Sequence, residues 1–474
     1  MVARGKTPGC LGNGTGQRRQ TARTRPQGRA LAVRPQPPPP EDSAPCNSTS
    51  CRSCGADSSA RPLRILFLTQ NFPPEIGAKA ARVYELARRL AARGHDVRVI
   101  TAMPNYPTGK VFEGFRGRMR VEERIEGVQV VRTWLKPSNS VRTFPRLLSY
   151  LTFVVTSLLL GTRGMGRRNI VFIESPPLFL VLPGLLIGRM AKARIVMNVS
   201  DVWPEAALRI GLEMRRVPLW LLRRLERLGY EKSDLVTATT PKASASIADR
   251  FPHVATAVIP GGTDLELFRP SRRSSALRES LGVGEGGFLV GYCGLHGLFQ
   301  GLEVVVWAAE MLRDDPRIKF VLAGDGPTKR TLIESVSAAG LENVVFKAPL
   351  PRDQVGELVA SFDLALVPLA GELPGTMPSK VYETLACGVP LIVCEGCEAA
   401  ALVTDLGLGR AVPPMDVDAL VDAIEEFLGD PAQVKRIGRN ARELARRYDL
   451  DDVVRRVEAT FSALVEDMSN AVGH

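Results

Sequence analysis

Short apolar runs alternate with longer amphipathic stretches from residue 64 almost to the C-terminus, the pattern of strands taking turns with helices. Arg64-Ile-Leu-Phe-Leu-Thr69 predicts the first strand. Apolar positions at helical spacing predict a helix over 78–92, Gly94 ends it, and Val97–Thr101 predicts the second strand. Further strands are predicted at 128–133, 170–173, 195–199, 235–239, 288–292, 319–323, 344–347, 364–367 and 391–393, with helices at 302–312, 417–428, 431–447 and 452–466. Pro, Gly and Asp crowd residues 260–275 and mark a boundary between two βα-repeating halves. The expectation is an α/β protein of two Rossmann-like domains, residues 63–270 and 271–445, whose parallel sheets face a central cleft. A segment 446–474 follows, with a helix expected to pack back on the first domain.

Three helices of the first half are unusually apolar or basic. Leu147–Leu160 has Arg142 and Arg146 before it and Arg163, Arg167 and Arg168 after it. Shorter than the ~20 residues a bilayer span needs, it predicts either a core helix or one lying in a single leaflet. Leu178–Met190 predicts a second apolar helix. Arg215–Arg227 predicts a basic amphipathic one: Leu219, Trp220, Leu222 and Leu225 would pack on the domain, and its five arginines would suit anionic headgroups.

Net charge is +12, which would suit nucleic acid if it lay on the folded part. Residues 1–62, however, hold Lys6 and nine arginines against Glu41, Asp42 and Asp57, so +7 of the total sits in a Pro/Arg-rich segment predicted to be a disordered basic tail. No nucleic-acid partner is expected. Within that tail Gly12-Asn-Gly-Thr-Gly16 imitates a phosphate loop without a strand before it or a helix after it. The eight cysteines (Cys10, Cys46, Cys51, Cys54, Cys293, Cys387, Cys394, Cys397) make no disulfide framework for so long a chain, which suggests a reducing compartment. A zinc site would require the Cys51/Cys54 and Cys394/Cys397 pairs to meet.

Candidate chemistry concentrates at Leu373–Val393. Pro374, Gly375 and Pro378 hold a loop out of helix, a helix then runs to Gly388, and a buried strand follows. A loop feeding a helix start presents unpaired N–H groups and the positive end of a dipole. With Ser379 and Lys380 added, that start suits a diphosphate, while Glu383, one turn on, suits vicinal hydroxyls such as those of a ribose. An ordinary capped helix with an exposed Glu fits the same residues. Two loops of the first half, Gln70–Gly77 and Met103–Gly109, follow strands and so lie on the ligand side of the sheet. The glycine fingerprint of dinucleotide enzymes is absent there. Asp201 at the end of the 195–199 strand would bond a sugar hydroxyl or cap the helix near Pro204. Asp416-Val-Asp418 reads as a helix cap rather than a metal site, and His95 as structural.

Taken in order, Pro73-Pro74-Glu-Ile-Gly77, Pro104-Asn-Tyr-Pro107, Asp201-Val-Trp-Pro-Glu205, Ile259-Pro-Gly-Gly-Thr-Asp264, the Gly294–Leu302 loop, Gly324-Asp-Gly-Pro327 and Gly375–Pro390 resemble the retaining glycosyltransferases of the GT-B fold, glycosyltransferase family 4, over residues 63–465. The combination looks most like the branch that moves N-acetylated or deoxy-amino sugars in capsule, O-antigen or exopolysaccharide assembly. The resemblance implies a nucleotide-sugar donor and a lipid-linked or glycan acceptor, no cofactor or metal, and a cytoplasmic location at the inner face of an anionic membrane. It assigns Gly77, Gly297, Gln300, Gly301, Gly324, Asp325, Gly326, Lys329, Gly375, Thr376, Pro378, Ser379, Lys380 and Glu383 to the nucleotide sugar. Asn105, Tyr106, Trp203 and Glu205 fall on the acceptor side, and Asp201, His296 and Lys380 are the candidate catalytic groups. In such enzymes the leaving phosphate is thought to take the acceptor's proton on the same face of the sugar. Two departures stand out. The family's first glutamate is Gly375 here, and its arginine and lysine clamps fall on Leu295 and Gln300, which leaves Lys380, Lys329 and Arg330 as candidate cations. A sugar-nucleotide epimerase of the same fold and a non-catalytic membrane-associated scaffold are the alternatives.

Overall fold

The computed structural model describes residues 61–472, apart from 76, 107, 139–142, 206–207 and 209–215. The tail through residue 60, with four of the cysteines and the Gly12–Gly16 string, and Arg142 and Arg215 lie outside the described residues.

The first half holds strands β1 (Arg64–Leu68), β2 (Asp96–Ala102), β3 (Arg120–Ile125), β4 (Val128–Thr133), β5 (Ile170–Ser175), β6 (Arg194–Val199), β7 (Leu235–Ala238) and β8 (Thr256–Val258). The second half holds β9 (Phe288–Cys293), β10 (Ile318–Ala323), β11 (Val344–Lys347), β12 (Leu364–Val367), β13 (Leu391–Cys394) and β14 (Gly409–Val412). They form two sheets, ordered β3-β4-β2-β1-β5-β6-β7-β8 and β11-β10-β9-β12-β13-β14. Every pairing is parallel except β3 with β4.

Parallel strands need a crossover between neighbours, and the crossover helices cover both faces of each sheet. The strands therefore read as nearly unbroken apolar runs, with alternate residues feeding two cores. In the first lobe Ile65, Phe67, Val97 and Val99 meet one layer of helices, while Leu66, Leu68 and Ile100 meet the other. In the second lobe Leu289 and Val321 serve one core, and Val290, Phe320 and Leu322 the other. The edge strand β3, Arg-Val-Glu-Glu-Arg-Ile, was not foreseen. It is antiparallel and largely outside both cores, so four of its six residues are charged and no apolar run betrays it.

The apolar stretch of the first half is longer than its sequence pattern implied. A helix over Thr143–Thr156 continues into a π-helical turn over Ser157–Gly161, giving an apolar stretch, Phe144–Gly161, of 18 residues. One side is held by the sheet: Phe153 is fully buried, and the Thr156 hydroxyl bonds to Thr133 and to the Trp134 carbonyl.

The chain leaves the first lobe through Ile259–Arg269 and returns at Tyr448–Leu450, and the two crossings pair. Thr263 N–H donates to the Tyr448 carbonyl at 2.9 Å, and Leu450 N–H to the Thr263 carbonyl at 3.0 Å. The last helix, Leu450–Val472, then lies on the first lobe, burying Val453, Val454, Val457 and Phe461 beside β1 and β5. Glu458 receives Arg93 at 2.6 Å and bonds His95 at 3.1 Å, and the other nitrogen of His95 accepts the Leu63 N–H at 3.0 Å. His95 is thus a structural tie. Phe461→Ala should remove about 3–5 kcal/mol of stability by cavity formation, read as a lower urea midpoint with an unchanged slope. An unchanged midpoint would mean this helix contributes no packing.

Candidate functional site

In an open parallel sheet the crossovers run one way on one side of the starting strand and the other way beyond it, so loops diverge at the reversal and leave a crevice. The first sheet reverses between β1 and β5, the second between β9 and β12. The loops that leave β9 and β12 are Gly294–Gly301 and Pro368–Pro378, the latter running into the helix Ser379–Ala386.

The Gly294–Gly301 loop is locked to the loop after β10. His296 N–H donates to the Asp325 carbonyl at 2.8 Å, Gly294 N–H to Ala323 at 2.9 Å, and Thr328 donates to the His296 carbonyl through its amide and its hydroxyl at 3.1 and 2.9 Å. The approach is close enough to require glycine. A Cβ on Gly324 (φ +137°) would lie 1.8 Å from the Gly294 carbonyl oxygen. Gly297, Gly301 and Gly326 belong to this same folded pair of loops, and Gln300 folds its amide oxygen over Gly297 into a buried position without a hydrogen bond. Asp325 is exposed and accepts the Gly326 N–H at 2.8 Å.

Lys380 lies against the end of β9. Its ammonium is 4.4 Å from the centre of the Tyr292 ring and donates to the Tyr292 hydroxyl at 3.2 Å, while that hydroxyl donates to the Leu295 carbonyl at 2.6 Å. The cation is therefore held at the crevice by a π-face and a phenol, and among the described residues no carboxylate bonds to it. Glu383 follows one turn later. Burial pushes its carboxyl above the ordinary range, with Arg352 and Lys380 pulling it back. It borders a cavity of about 10 Å³ with Cys293, Gly291 and Thr384, whose walls leave room for about one water. Among the described residues its carboxylate makes no hydrogen bond or ion pair, so its acceptor capacity is free. The same Glu383 helps burial raise the Cys293 thiol to about 12, which leaves that thiol protonated and inert.

His296 is fully buried, and neither ring nitrogen makes a hydrogen bond of ordinary geometry, although the Ala323 carbonyl faces the ring. Burial, with Lys329 and Lys380 nearby, pushes it down to about 4, so the ring is neutral at pH 7.

Other sequence-assigned groups are spent elsewhere. The Lys329 ammonium donates to the Gly324 and Lys347 carbonyls at 2.6 and 2.8 Å, which makes it a brace for the loop rather than a free cation. Arg330 is exposed and paired with Glu334. The first four of Gly375, Thr376, Pro378, Ser379 and Lys380 form the approach to the helix: Pro378 is its N-cap, Ser379 its first residue, and the Thr376 carbonyl accepts Glu398 N–H at 3.0 Å. Gly375 (φ +78°) touches the other lobe. Its carbonyl accepts the Thr240 hydroxyl at 2.9 Å, and Thr240 also caps the helix Pro241–Arg250 by accepting Ala243 N–H at 3.1 Å.

On the first lobe, Glu75 was missed although it stands inside the Pro-Pro-Glu string. Buried in the β1 loop, it accepts the Asn105 and Tyr106 N–H groups, each at 2.8 Å, and so staples the β1 and β2 loops together. Asn105 consequently turns inward, its amide donating to the Met103 carbonyl at 3.0 Å, and it presents no side chain to an acceptor. Tyr106 stays partly exposed beside Gly77. Asp201 is paired with Lys79 at 3.3 Å, and most of the helix it was expected to cap lies outside the described residues. Glu205 faces Arg223 and Arg250 at 3.6 and 3.7 Å, and Trp203 is half-buried in the loop before it. A buried polar set nearby was also invisible in sequence. Glu174 accepts Asn198 at 3.0 Å and the Ser200 hydroxyl, and Arg82 joins Ser200, Asn198 and the Ile259 carbonyl. Asp416 caps a helix by accepting Ala419 N–H at 3.0 Å. Among the described residues no group of three or more His, Cys, Asp or Glu is placed to hold a metal ion.

Two family models match the chain: a "Glycosyl transferase 4-like domain" over residues 77–262 and "Glycosyl transferases group 1" over residues 274–444. WcaI of Escherichia coli K12, provisionally assigned to colanic acid biosynthesis as a glycosyl transferase, is 29% identical over 83% of this chain and 98% of its own length. The 2-deoxystreptamine N-acetyl-D-glucosaminyltransferase of Streptomyces fradiae is 26% identical over 84% of this chain and 96% of its own. Among solved structures, HepE of Anabaena in complex with UDP-glucose superposes with a TM-score of 0.64 at 19% identity, covering 85% of this chain and all of HepE (100%). Sucrose-phosphate synthase of Thermosynechococcus elongatus gives 0.67 at 19%, covering 85% of this chain and 99% of its own.

A histidine with a depressed folded-state value gives stability a definite sign with pH. The unfolded chain takes up the proton near pH 6.5, whereas the folded ring refuses it down to about 4. Stability should therefore fall as pH drops from about 6.5 to about 4, and no further through this group. Urea unfolding of the wild type and His296→Gln across that window should show a shallower loss for the variant, and parallel curves would refute the buried neutral ring.

Proposed function

The chain belongs to the glycosyltransferases, with the GT-B architecture of family 4, and from that premise we propose that it moves a sugar, with retention, from a nucleoside-diphosphate donor to a lipid-linked or polysaccharide acceptor. The reading takes the donor as UDP-linked and the sugar as an N-acetylated or deoxy-amino hexose. The relation to an N-acetyl-D-glucosaminyltransferase supports the latter. Synthesis of cell-surface polysaccharide on the cytoplasmic side of the membrane fits the relation to WcaI.

The observation that carries the proposal is the placing of Lys380 and Glu383, neither neutralised by a bonded partner of opposite charge, at the carboxyl ends of β9 and β12 where the strand order reverses. Breaking a sugar–phosphate bond builds positive character on the sugar and negative charge on the leaving diphosphate. Lys380, the Ser379 hydroxyl and the N–H groups that open its helix would steady that charge. Glu383 would accept the ribose hydroxyls. A strong carboxylate pair is not needed, because the leaving phosphate oxygen takes the acceptor's proton on the face it departs from. Neutral His296 would shape the loop that closes over the donor, its proton not required. Gly77 leaves room beside Tyr106 for the donor sugar, and the paired Lys79 and Asp201 mark the acceptor side.

Lys380→Ala should lower kcat with sugar nucleotide by about two to three orders of magnitude, as loss of a preorganised charge in a closed site does. Glu383→Gln should mainly raise the donor KM, by roughly tenfold, about 1.4 kcal/mol. Turnover by Lys380→Ala close to the wild type would remove the diphosphate assignment. Because the charge is met by protein groups, transfer should persist in EDTA, and complete loss there would show a metal requirement. Release of free epimerised sugar nucleotide without acceptor would instead establish the epimerase alternative.

A further inference from the structure

Three helices cover one face of the first sheet side by side: Thr143–Thr156 with its π-helical turn to Gly161, Val181–Ala191, and Arg216–Lys232. Their inner sides share one core, to which Phe153, Leu185, Ile187, Leu222 and Leu225 contribute. Their outer sides are apolar too. Leu151, Val155 and Leu159 form a stripe at four-residue spacing on the first, with Val155 53% and Leu159 65% exposed. Leu186 and Met190 repeat it on the second, and Trp220 stands 58% exposed on the third. Apolar side chains thus stand exposed on the outer sides of three neighbouring helices, where clustering of this kind marks an interaction surface.

The exposed charges around that surface are mostly basic, the exception being Glu231 near the end of the third helix, which faces His253 at 3.7 Å. Residues 143–173 and 176–193 contain no Asp or Glu at all. Arg163, Arg167, Arg189, Arg224 and Arg227 are exposed at its margins, and Arg224 rests over the Trp220 ring. The one acid turned inward on the third helix, Glu226, is fully buried and neutralised by Arg250 at 2.6 Å. An apolar stripe rimmed mainly by arginine complements the acyl–headgroup boundary of an anionic leaflet, with the apolar side chains below the headgroups and the guanidinium groups among the phosphates.

We propose that this three-helix face is a docking surface for an anionic bilayer, on which the protein lies without crossing. By length and composition Phe144–Gly161 would suffice to span, but spanning would pull Phe153 out of the core and break the Thr156 bonds to Thr133 and Trp134. The face binds lipid whether or not the donor crevice works as proposed, since it shares no residue with it.

The test is sedimentation of the full chain, without sugar nucleotide, with vesicles of phosphatidylcholine alone or mixed with phosphatidylglycerol. Binding to the mixed vesicles only, weakening as salt is raised, is the expected result. The double variant Val155→Glu/Leu159→Glu alters only exposed positions. It should bind those vesicles at least tenfold more weakly while keeping the wild-type melting temperature, which shows that it folds. Absence of wild-type binding to anionic vesicles, or equal binding by the variant, would overturn the proposal. So would a lipid-free wild-type dimer that the variant turns into a monomer, which would assign the face to a second copy of the chain.

Discussion

Parallel strand pairing imposes the layout of this molecule. Each crossover must return over one face of its sheet, and wherever the strand order turns back the flanking loops are forced apart. The reversals at β1/β5 and β9/β12 leave backbone and side chains open beside the cores. The groups assigned to the donor and acceptor gather at these reversals. Glu75, Asn105 and Tyr106 occupy the loops beside the first, and Lys380, Glu383 and the His296 loop border the second. On the reading proposed above, topology locates the chemistry and the side chains give it its sign.

How much of this the sequence disclosed follows from where each residue's partners lie. Strands in the interior of the sheets were legible, since burial on both faces makes their runs apolar from end to end; three of the fourteen match to the residue and six more differ by one terminal residue. β3 was hidden because an antiparallel edge needs no apolar run. The loop-then-helix setting of Lys380 and Glu383 was legible because it is local. The partners of Lys329 and Asn105 were hidden for the opposite reason. A lysine captured by the carbonyls of two other loops, or an amide drawn under by a glutamate thirty residues away, leaves no trace in its own neighbourhood. Tyr292, Thr240 and the Glu174 set were missed on the same grounds, each defined by contacts across the fold.

Charge also ties the lobes at the hinge. Arg89 reaches Asp264 at 2.7 Å and Asp451 at 2.5 Å, so one guanidinium holds both chain crossings to the first lobe. Arg352 of the second lobe lies 3.5 Å from Glu85 of the first, and its field also lowers the carboxyl of Glu383. One arginine thus stands near an acid of each lobe.

The contact between Thr240 and Gly375 bears on how the lobes part. The threonine hydroxyl donates its proton to the glycine carbonyl while its oxygen keeps the start of the Pro241–Arg250 helix. Separation at this point breaks the first bond and spares the second, so no secondary structure unravels. An intramolecular bond of this kind is worth about 1 kcal/mol net, roughly twice the thermal energy, and water replaces the lost partner at once. At that corner the jaw rests on a catch weak enough for ordinary agitation to release.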